Sequence, residues 1–185
     1  MTSSRVYRAQ AVDGFEWLSP AGRHEGETIA ALGVARHRSG WAPLDMILES
    51  EFDGVPVESA SLPWCAGNVL AFHPAIIEAL ALDLDSQGET LPVRSAAGTY
   101  VLFHATTLTD AVDWKRTVVE RFTSSGRVMA IPHLVLHEER IPDRPFQIPG
   151  FERGSILFPE SFVSGLQGLA TGTEFACVWP ERREV

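Results

Sequence analysis

Cysteine is scarce in this sequence, and its scarcity excludes two kinds of scaffold. Cys65 and Cys177 are the only cysteines among 185 residues, and they lie far apart in the chain. Zinc-binding cysteines usually come in close pairs, and small secreted domains carry a disulfide framework, so this spacing fits neither. We therefore expect both cysteines to be small, buried, reduced side chains.

Positively charged residues are also scarce. Lys and Arg together number 15 against 24 Asp and Glu, which gives a formal net charge of −9. The longest basic cluster is the pair Arg182 and Arg183, which stands beside two glutamates. A protein that binds nucleic acid needs a basic stripe to displace counterions from the phosphate backbone. Nucleic acid is therefore not an expected direct ligand.

Long hydrophobic runs are missing from the sequence. No run approaches the ~20 apolar residues that span a bilayer, and the first residues lead into no apolar signal-peptide segment. We therefore expect no membrane association and a cytoplasmic location.

The remaining composition is that of a globular protein. Hydrophobic residues make up 45% of the chain and charged residues 21%, close to the averages for soluble domains. A chain of this length suffices for one core, so we expect a single domain over residues 1–185. Residues 1–64 are poorly defined by local signals, and residues 54–67 predict an irregular connection. Residues 65–180 carry most of the clear signals.

One helix is predicted in the middle of the chain. An apolar strand at residues 69–72 leads to Pro74, a residue suited to the first turn of a helix. Apolar side chains then recur at helical spacing as far as Asp83. This helix should lay one apolar face on a sheet.

Several hairpin signals follow. An Ala-Ala-Gly turn at residues 96–98 separates two strand patterns, and a Ser-Ser-Gly turn at residues 124–126 separates two more. Residues 110–122 also fit a helical spacing, but we favour the hairpin after Trp114. Near the N-terminus, residues 6–12 read as an edge strand. The order of elements predicts an α+β fold, in which two or three helices pack on a mixed or mostly antiparallel sheet.

A strand that leads into a helix occurs twice. Residues 67–74 and 154–159 share a glycine, an apolar strand and a proline, and the second segment is two residues shorter. A helix and a strand follow each. Either a strand–helix–strand unit is duplicated, or any strand that meets a proline-started helix shows this pattern, and the sequence leaves both interpretations open.

The best catalytic candidate is the HLVLHEE segment at residues 133–139. On a helix, His133 and His137 would share a face and could bind zinc with a third ligand, as in a small metal-dependent hydrolase that also uses Glu138. The leucines alternate with the other residues, however, which is typical of a strand, where positions four apart are separated by roughly 13 Å. We therefore favour a half-exposed strand, with no catalytic residue and no cofactor. The hydrolase, or a ligand-binding domain, remains the alternative.

One segment is strongly acidic. It contains five acids and no Lys or Arg: Asp45, Glu49, Glu51, Asp53 and Glu58. Trp41, Phe52 and Trp64 lie in or beside it. Acidic groups steer a basic partner toward a surface, and aromatic side chains anchor interfaces. The five acids and Trp64 therefore predict a protein-binding surface; a solvated acidic loop over the core is the alternative.

Short motifs follow one another in order through the last two-thirds of the chain. They are VDWKRT at residues 112–117, LVL at 134–136, RIP at 140–142, FQI at 146–148, ILFPESF at 156–162 and TGTEF at 171–175. In this order they resemble a family of bacterial immunity proteins from polymorphic toxin systems, named for a myxobacterial member. The resemblance covers residues 65–180.

The resemblance implies a cytoplasmic inhibitor, not an enzyme. Such a protein binds and neutralises a cognate toxin that is delivered between competing bacterial cells, and it is a monomer or a weak dimer when free. The partner would be a basic toxin domain, and a nuclease is one candidate. An acidic inhibitor associates faster with a basic nuclease because of electrostatic steering, and it can cover the phosphate-binding cleft.

Overall fold

The helices of the protein are short. The computed structural model describes residues 5–80, 83–166 and 168–180. The helices in these ranges are α1 (Arg23–Ala31), α2 (Pro74–Ala79), α3 (Leu84–Gln87) and α4 (Glu160–Leu166), with a 3₁₀ turn at Glu138–Arg140. None of them has the length and apolar character needed to cross a membrane.

Most of the regular secondary structure is β-strand. Within the described ranges they are β1 (Val6–Ala11), β2 (Trp17–Pro20), β3 (Leu44–Glu49), β4 (Glu51–Phe52), β5 (Val55–Pro56), β6 (Leu70–Phe72), β7 (Glu89–Ser95), β8 (Gly98–His104), β9 (Thr107–Leu108), β10 (Val118–Arg121), β11 (Val128–His133), β12 (Phe146–Gln147), β13 (Leu157–Pro159) and β14 (Thr173–Trp179). They form two five-stranded sheets and two separate hairpins, β4–β5 and β10–β11. The protein is therefore mixed α+β, with four short α-helices in its described residues.

The first sheet joins the two ends of the described chain. Its order is β14-β1-β13-β12-β9, and all pairs are antiparallel except β12–β9. The prediction of an edge strand at residues 6–12 is wrong, because β1 has a partner on each side. Val6 and Ala9 are both buried, since strands from the C-terminal part of the chain flank β1.

The second sheet has the order β2-β3-β7-β8-β6, with one parallel pair, β3–β7. The predicted hairpin around residues 96–98 is confirmed: β7 and β8 pair from Glu89 opposite His104 to Ser95 opposite Gly98. The predicted hairpin around residues 124–126 is confirmed as β10–β11. Both sheets are mixed and mostly antiparallel, which confirms the predicted strand arrangement. The prediction of one sheet with two or three helices is wrong in number, because the described residues form two five-stranded sheets and four short α-helices.

A central core joins the two sheets. Phe72 and Phe103 of the second sheet pack with Phe158 of the first and with Phe162 of α4. The Phe162 ring centroid lies 5.6 Å from that of Phe103 and 5.3 Å from that of Phe158. Two outer cores cover the opposite faces of the two sheets. Strands buried on both faces have continuous apolar sequences, which explains the Leu-Ala-Phe of β6.

The two similar strand–helix segments lie in different sheets. Leu70 and Phe72 of β6 face the central core, and so do Ile156 and Phe158, which occupy the corresponding positions near β13. The segments meet where the Ile156 N–H donates to the Gly67 carbonyl at 3.0 Å. Whether a duplication produced this similarity stays a prediction.

The predicted helix from Pro74 to Asp83 is too long. The α-helix ends at Ala79, and Leu80 has extended backbone angles, which turn its side chain into the central core. Asp83 instead caps the next helix, α3, by accepting a hydrogen bond from the Ser86 N–H at 3.3 Å. Residues 81 and 82 lie outside the described residues.

Both cysteines are free thiols, but neither is fully buried. Cys65 and Cys177 are each half-buried, so the prediction of two buried side chains is wrong in that respect. Burial of the sulfur nevertheless raises the pKa of the Cys65 thiol to about 12. This thiol is therefore unreactive at neutral pH.

The threonines and glycine of the TGTEF motif fasten residues 60–62 to the start of β14. Thr171 and Ser61 exchange hydrogen bonds, and the Thr173 hydroxyl donates to the Leu62 carbonyl at 2.8 Å. Gly172 has a φ of +88°, and a Cβ atom there would lie 2.5 Å from the Ala60 side chain. The motif thus has a structural role, and it fixes the chain just after the acidic segment.

Candidate partner-binding surface

The acidic segment folds as a tight hairpin. Phe52 of β4 pairs with Val55 of β5, and the two residues between them, Asp53 and Gly54, have φ values of 52° and 76°. Two consecutive positive φ values are those of a type I′ turn, whose twist matches that of the flanking strands. The prediction of an irregular connection from residue 54 onward is therefore wrong for its first part. We call residues 49–58 the acidic hairpin.

Residues 14–18 hold the acidic hairpin from both ends. Glu49 at the end of β3 lies opposite Trp17 of β2. On the other side, the Glu16 N–H donates to the Glu58 carbonyl at 2.9 Å, and the Glu58 N–H donates to the Gly14 carbonyl at 2.8 Å. Glu49 and Glu58, near the two ends of the hairpin, therefore pair with opposite edges of residues 14–18.

An apolar groove lies between the acidic hairpin and this segment. It has a volume of about 540 Å³ and is lined by Asp13, Gly14, Trp17, Phe52, Val55 and Val57. The Trp17 and Phe52 rings meet edge to face, with their centroids 5.7 Å apart. Val55 is 63% exposed. A groove with exposed aromatic and aliphatic walls is typical of sites that accept a partner's side chain.

Four carboxylates of the acidic hairpin have no cation beside them in the part of the chain that the structure describes. Glu51, Asp53 and Glu58 are exposed and Glu49 is half-exposed. None of the four forms an ion pair with any residue in the described ranges. Asp13, in the groove wall, adds a further exposed carboxylate. Their charge is therefore available to an external cation.

Asp45 is separate from this group. It lies at the other end of β3, next to residues of β7, and Arg94 of β7 forms an ion pair with it. The hydrogen bond from Arg94 holds the pKa of the Asp45 carboxyl below its usual range. The sequence segment lacks basic residues, but the parallel pairing of β3 and β7 brings one to Asp45. Its charge is already compensated.

Only part of the Trp64 side chain is exposed. Its carbonyl accepts a hydrogen bond from the Leu18 N–H at 2.8 Å, beside Trp17. Its side chain is half-buried and packs against the central core. Of the six predicted site residues, the structure thus brings four together on the acidic hairpin, with Trp64 beside Trp17 and Asp45 apart.

Asp13 and Trp17 were missed by the sequence analysis. They lie more than thirty positions before the acidic hairpin, and only the non-local pairing of β2 with β3 brings them to it. Phe52 was recognised as a neighbouring aromatic residue, but its contact with Trp17 depends on the same pairing. No local pattern could have indicated the groove.

A second group of polar residues is buried in the second sheet. Glu89 and His104, 2% and 0% exposed, face each other at the end of the β7–β8 hairpin, with 2.8 Å between Oε2 and Nε2. The Glu89 carboxylate also accepts from the backbone N–H groups of His37 and Arg38, at 2.7 and 3.0 Å. His104 Nδ1 lies 3.1 Å from the Gly33 carbonyl. The pair thereby anchors the loop between α1 and β3.

The charge state of this pair follows from its partners. A carbonyl oxygen only accepts, so Nδ1 of His104 donates to Gly33. Burial raises the pKa of Glu89, but the hydrogen bonds from His37, Arg38 and His104 outweigh burial and hold the pKa below its ordinary value. An ionised Glu89 only accepts, so His104 Nε2 donates the hydrogen bond between the two side chains.

The alternative of a metal site depends on where His133, His137 and Glu138 lie. His133 ends β11 and His137 precedes the 3₁₀ turn. The residues between them, 134–136, are all buried, so the predicted alternation of a half-exposed strand is wrong there. Val135 fixes this segment: its N–H donates to the Thr117 hydroxyl, and its carbonyl accepts from the Asp113 N–H. In residues 5–80, 83–166 and 168–180, no three His, Cys, Asp or Glu side chains are grouped as metal ligands.

No protein-family model matches the chain, and no curated protein matches it significantly.

Proposed function

We propose that the protein is an immunity protein that binds a cognate bacterial toxin and blocks its active or substrate-binding site. The observation that carries this proposal is the acidic hairpin, where four carboxylates form no ion pair with a described residue and where Phe52, Val55 and Val57 line an apolar groove. The order of the motifs in residues 112–175, which resembles that of an immunity family, supports the same function. A cytoplasmic location belongs to this proposal, because the inhibitor has to meet the toxin inside the cell that it protects.

The groove and the carboxylates have separate tasks in this proposal. Aromatic side chains in a desolvated pocket usually contribute most of the binding energy of an interface. Trp17, Phe52 and Val55 would form that anchor. Exposed charges at the rim contribute less to affinity, but they accelerate association with a partner of opposite charge. The four carboxylates would therefore govern the association rate.

The chemistry of the surface points to a basic partner. A toxin that cleaves nucleic acid carries a cationic cleft for the phosphate backbone. Such a cleft would be complementary to the acidic hairpin, and occupying it would exclude the substrate. A nuclease is therefore the class of toxin that we favour.

The product of a toxin gene beside this one provides the test. Stopped-flow mixing of the two proteins should show a complex whose association rate falls steeply as salt is added, because salt screens exposed charges at about 10 Å in 0.1 M solution. Cells that express this chain should survive the toxin. Absence of a complex, together with absence of protection, would overturn the proposed function; a complex whose association rate does not depend on salt would remove its electrostatic part.

A further inference from the structure

A surface cleft far from the acidic hairpin in sequence contains an arginine that pairs with no acid among the described residues. The cleft lies between β1 and β14 of the first sheet and the end of β11, and its volume is about 580 Å³. Arg8 of β1 is opposite Ala176 of β14, and both residues line the cleft. Volumes of this size are typical of small-ligand sites.

Arg8 has an unusual position for a charged residue. It lies in the middle of β1, with strands on both sides, and is half-buried. Side chains two apart on a strand share a face, so Arg8 points to the same side as Val6, which belongs to an outer core. Burial lowers the pKa of the Arg8 guanidinium. The side chain therefore extends along an apolar face, not into open solvent.

The guanidinium has no compensating charge. Its Nε atom is buried and has no hydrogen-bond partner, and Arg8 forms no ion pair with a described residue. Arg5, Arg38 and Arg140, which are more exposed, each pair with a carboxylate. In a chain with 24 acids and 15 bases, lack of acids cannot explain why Arg8 is unpaired.

An uncompensated cation in such a position is costly. Buried charges in proteins are normally paired, because removing them from water carries a penalty that only an opposite charge or hydrogen bonds offset. A planar guanidinium matches the two oxygens of a carboxylate or phosphate and binds them with paired hydrogen bonds. The missing partner therefore has a definite chemistry.

We propose that the cleft is a binding site for a small oxyanion, a carboxylate or a phosphate, which Arg8 binds through its guanidinium. The site shares no residue with the acidic hairpin or its groove. The small Ala176 side chain opposite Arg8 leaves space for the ligand. The proposal is independent of the proposed toxin-binding function, so either can fail without the other.

The experiment is a titration of the full chain with inorganic phosphate and, separately, with acetate, in a chloride buffer of low ionic strength. We follow the Nε–H signal of Arg8 by NMR and the heat of binding by calorimetry. At least one of the two anions should shift this signal in a saturable way. The anion that does so identifies the ligand as a phosphate or as a carboxylate.

Two variants make the result specific. Arg8→Gln should weaken binding roughly tenfold or more, since hydrogen bonds between charged groups are worth about that much. Arg116→Gln, which removes an exposed arginine outside the cleft, should leave binding unchanged. Without added anion, Arg8→Gln should melt at or above the wild-type temperature, because it removes an uncompensated charge.

Two results would overturn the proposal. One is the absence of saturable binding of both anions by the wild type, as expected if Arg8 is already paired by acids of the chain itself. The other is equal binding by the wild type and a folded Arg8→Gln variant. If Arg8→Gln unfolds, an Arg8→Lys variant provides the comparison: it keeps the charge but loses the planar fork, and should still bind more weakly than wild type.

Discussion

Glu89 and Glu51 have opposite environments: one carboxylate is buried and hydrogen-bonded, and the other is exposed and unpaired among the described residues. Glu89 is 2% exposed and accepts hydrogen bonds from two backbone N–H groups and from His104. Glu51 is exposed on the acidic hairpin and forms no ion pair in the described ranges. The Glu89 carboxylate thereby holds the loop between α1 and β3 to the second sheet. The charges of Glu51 and of Glu49, Asp53 and Glu58 are not compensated by any described residue.

Asp45 lies between these extremes. It is exposed, like the acids of the hairpin, but Arg94 compensates its charge. The three cases differ in burial and in pairing, and they should differ in the same order in their effect on stability. The acids of the hairpin should have almost no effect on stability and the largest effect on association.

The largest loss of stability is expected for Glu89→Ala. The substitution leaves His104 without its carboxylate and two backbone N–H groups without an acceptor, and breaking a buried pair in this way typically costs about 3–5 kcal/mol. Urea denaturation should show this loss in the free energy of unfolding. Glu78→Ala on the exposed side of α2 is the matched control and should have little effect. A loss below about 1 kcal/mol for Glu89→Ala would show that the pair does not anchor the loop.

A pH dependence should follow from the same residue. The pKa of Glu89 in the folded protein is held below its ordinary value of 4.5, so the unfolded chain takes up the proton first as the pH falls. The stabilisation by Glu89 is therefore complete above pH 4.5 and is lost as the pH falls through the lower, folded pKa.

Glu89→Gln isolates this contribution. The difference in the free energy of unfolding between the wild type and Glu89→Gln should be largest above pH 4.5 and should shrink as the pH falls below that value. A difference that stays constant or grows as the pH falls would contradict the assignment of an ionised Glu89.

A much smaller effect is expected for Asp45→Asn. Ion pairs between exposed side chains often contribute nothing measurable to stability, because water solvates both partners well. Thermal unfolding of Asp45→Asn should therefore occur at most slightly below that of the wild type. A drop of several degrees in the melting temperature would place Asp45 with Glu89 instead of with the exposed acids.

Much of the fold could be predicted from local patterns. The β7–β8 and β10–β11 hairpins follow from turn residues between apolar strands, and β14 follows from its apolar sequence. The error at β1 has a different cause. Its sequence shows a strand, but nothing local shows that strands near the C-terminus flank it on both sides.

The candidate site was partly predictable for the same reason. The Asp53-Gly54 dipeptide is a strong signal for a two-residue hairpin, so the fold of the acidic segment follows from its local sequence. The groove could not be predicted, because Trp17 reaches Phe52 only through the pairing of β2 with β3. The pairing of Asp45 with Arg94 also requires the parallel alignment of β3 and β7.

The smallest effect on stability is expected when Glu49, Glu51 and Glu58 of the hairpin are changed to Lys and Asp53 to Asn, which tolerates the positive φ of the turn as Asp does. None of them has a partner to lose in the described structure, so urea denaturation should give a free energy of unfolding close to that of the wild type. The matched control changes four exposed acids elsewhere in the same way, Glu78, Glu120 and Glu139 to Lys and Asp143 to Asn. Both variants alter the net charge equally. A large loss of stability in the hairpin variant alone would show that these acids serve the fold.

The association rate of these two variants with the toxin domain, measured by stopped flow at low salt, tests the central claim most directly. If the acidic hairpin is the recognition surface, its variant should associate roughly tenfold more slowly or worse, since local charge complementarity steers the encounter. The control should retain a rate within a few-fold of the wild type. Equal rates for the two variants would contradict the account, because net charge, and not this surface, would then govern the encounter.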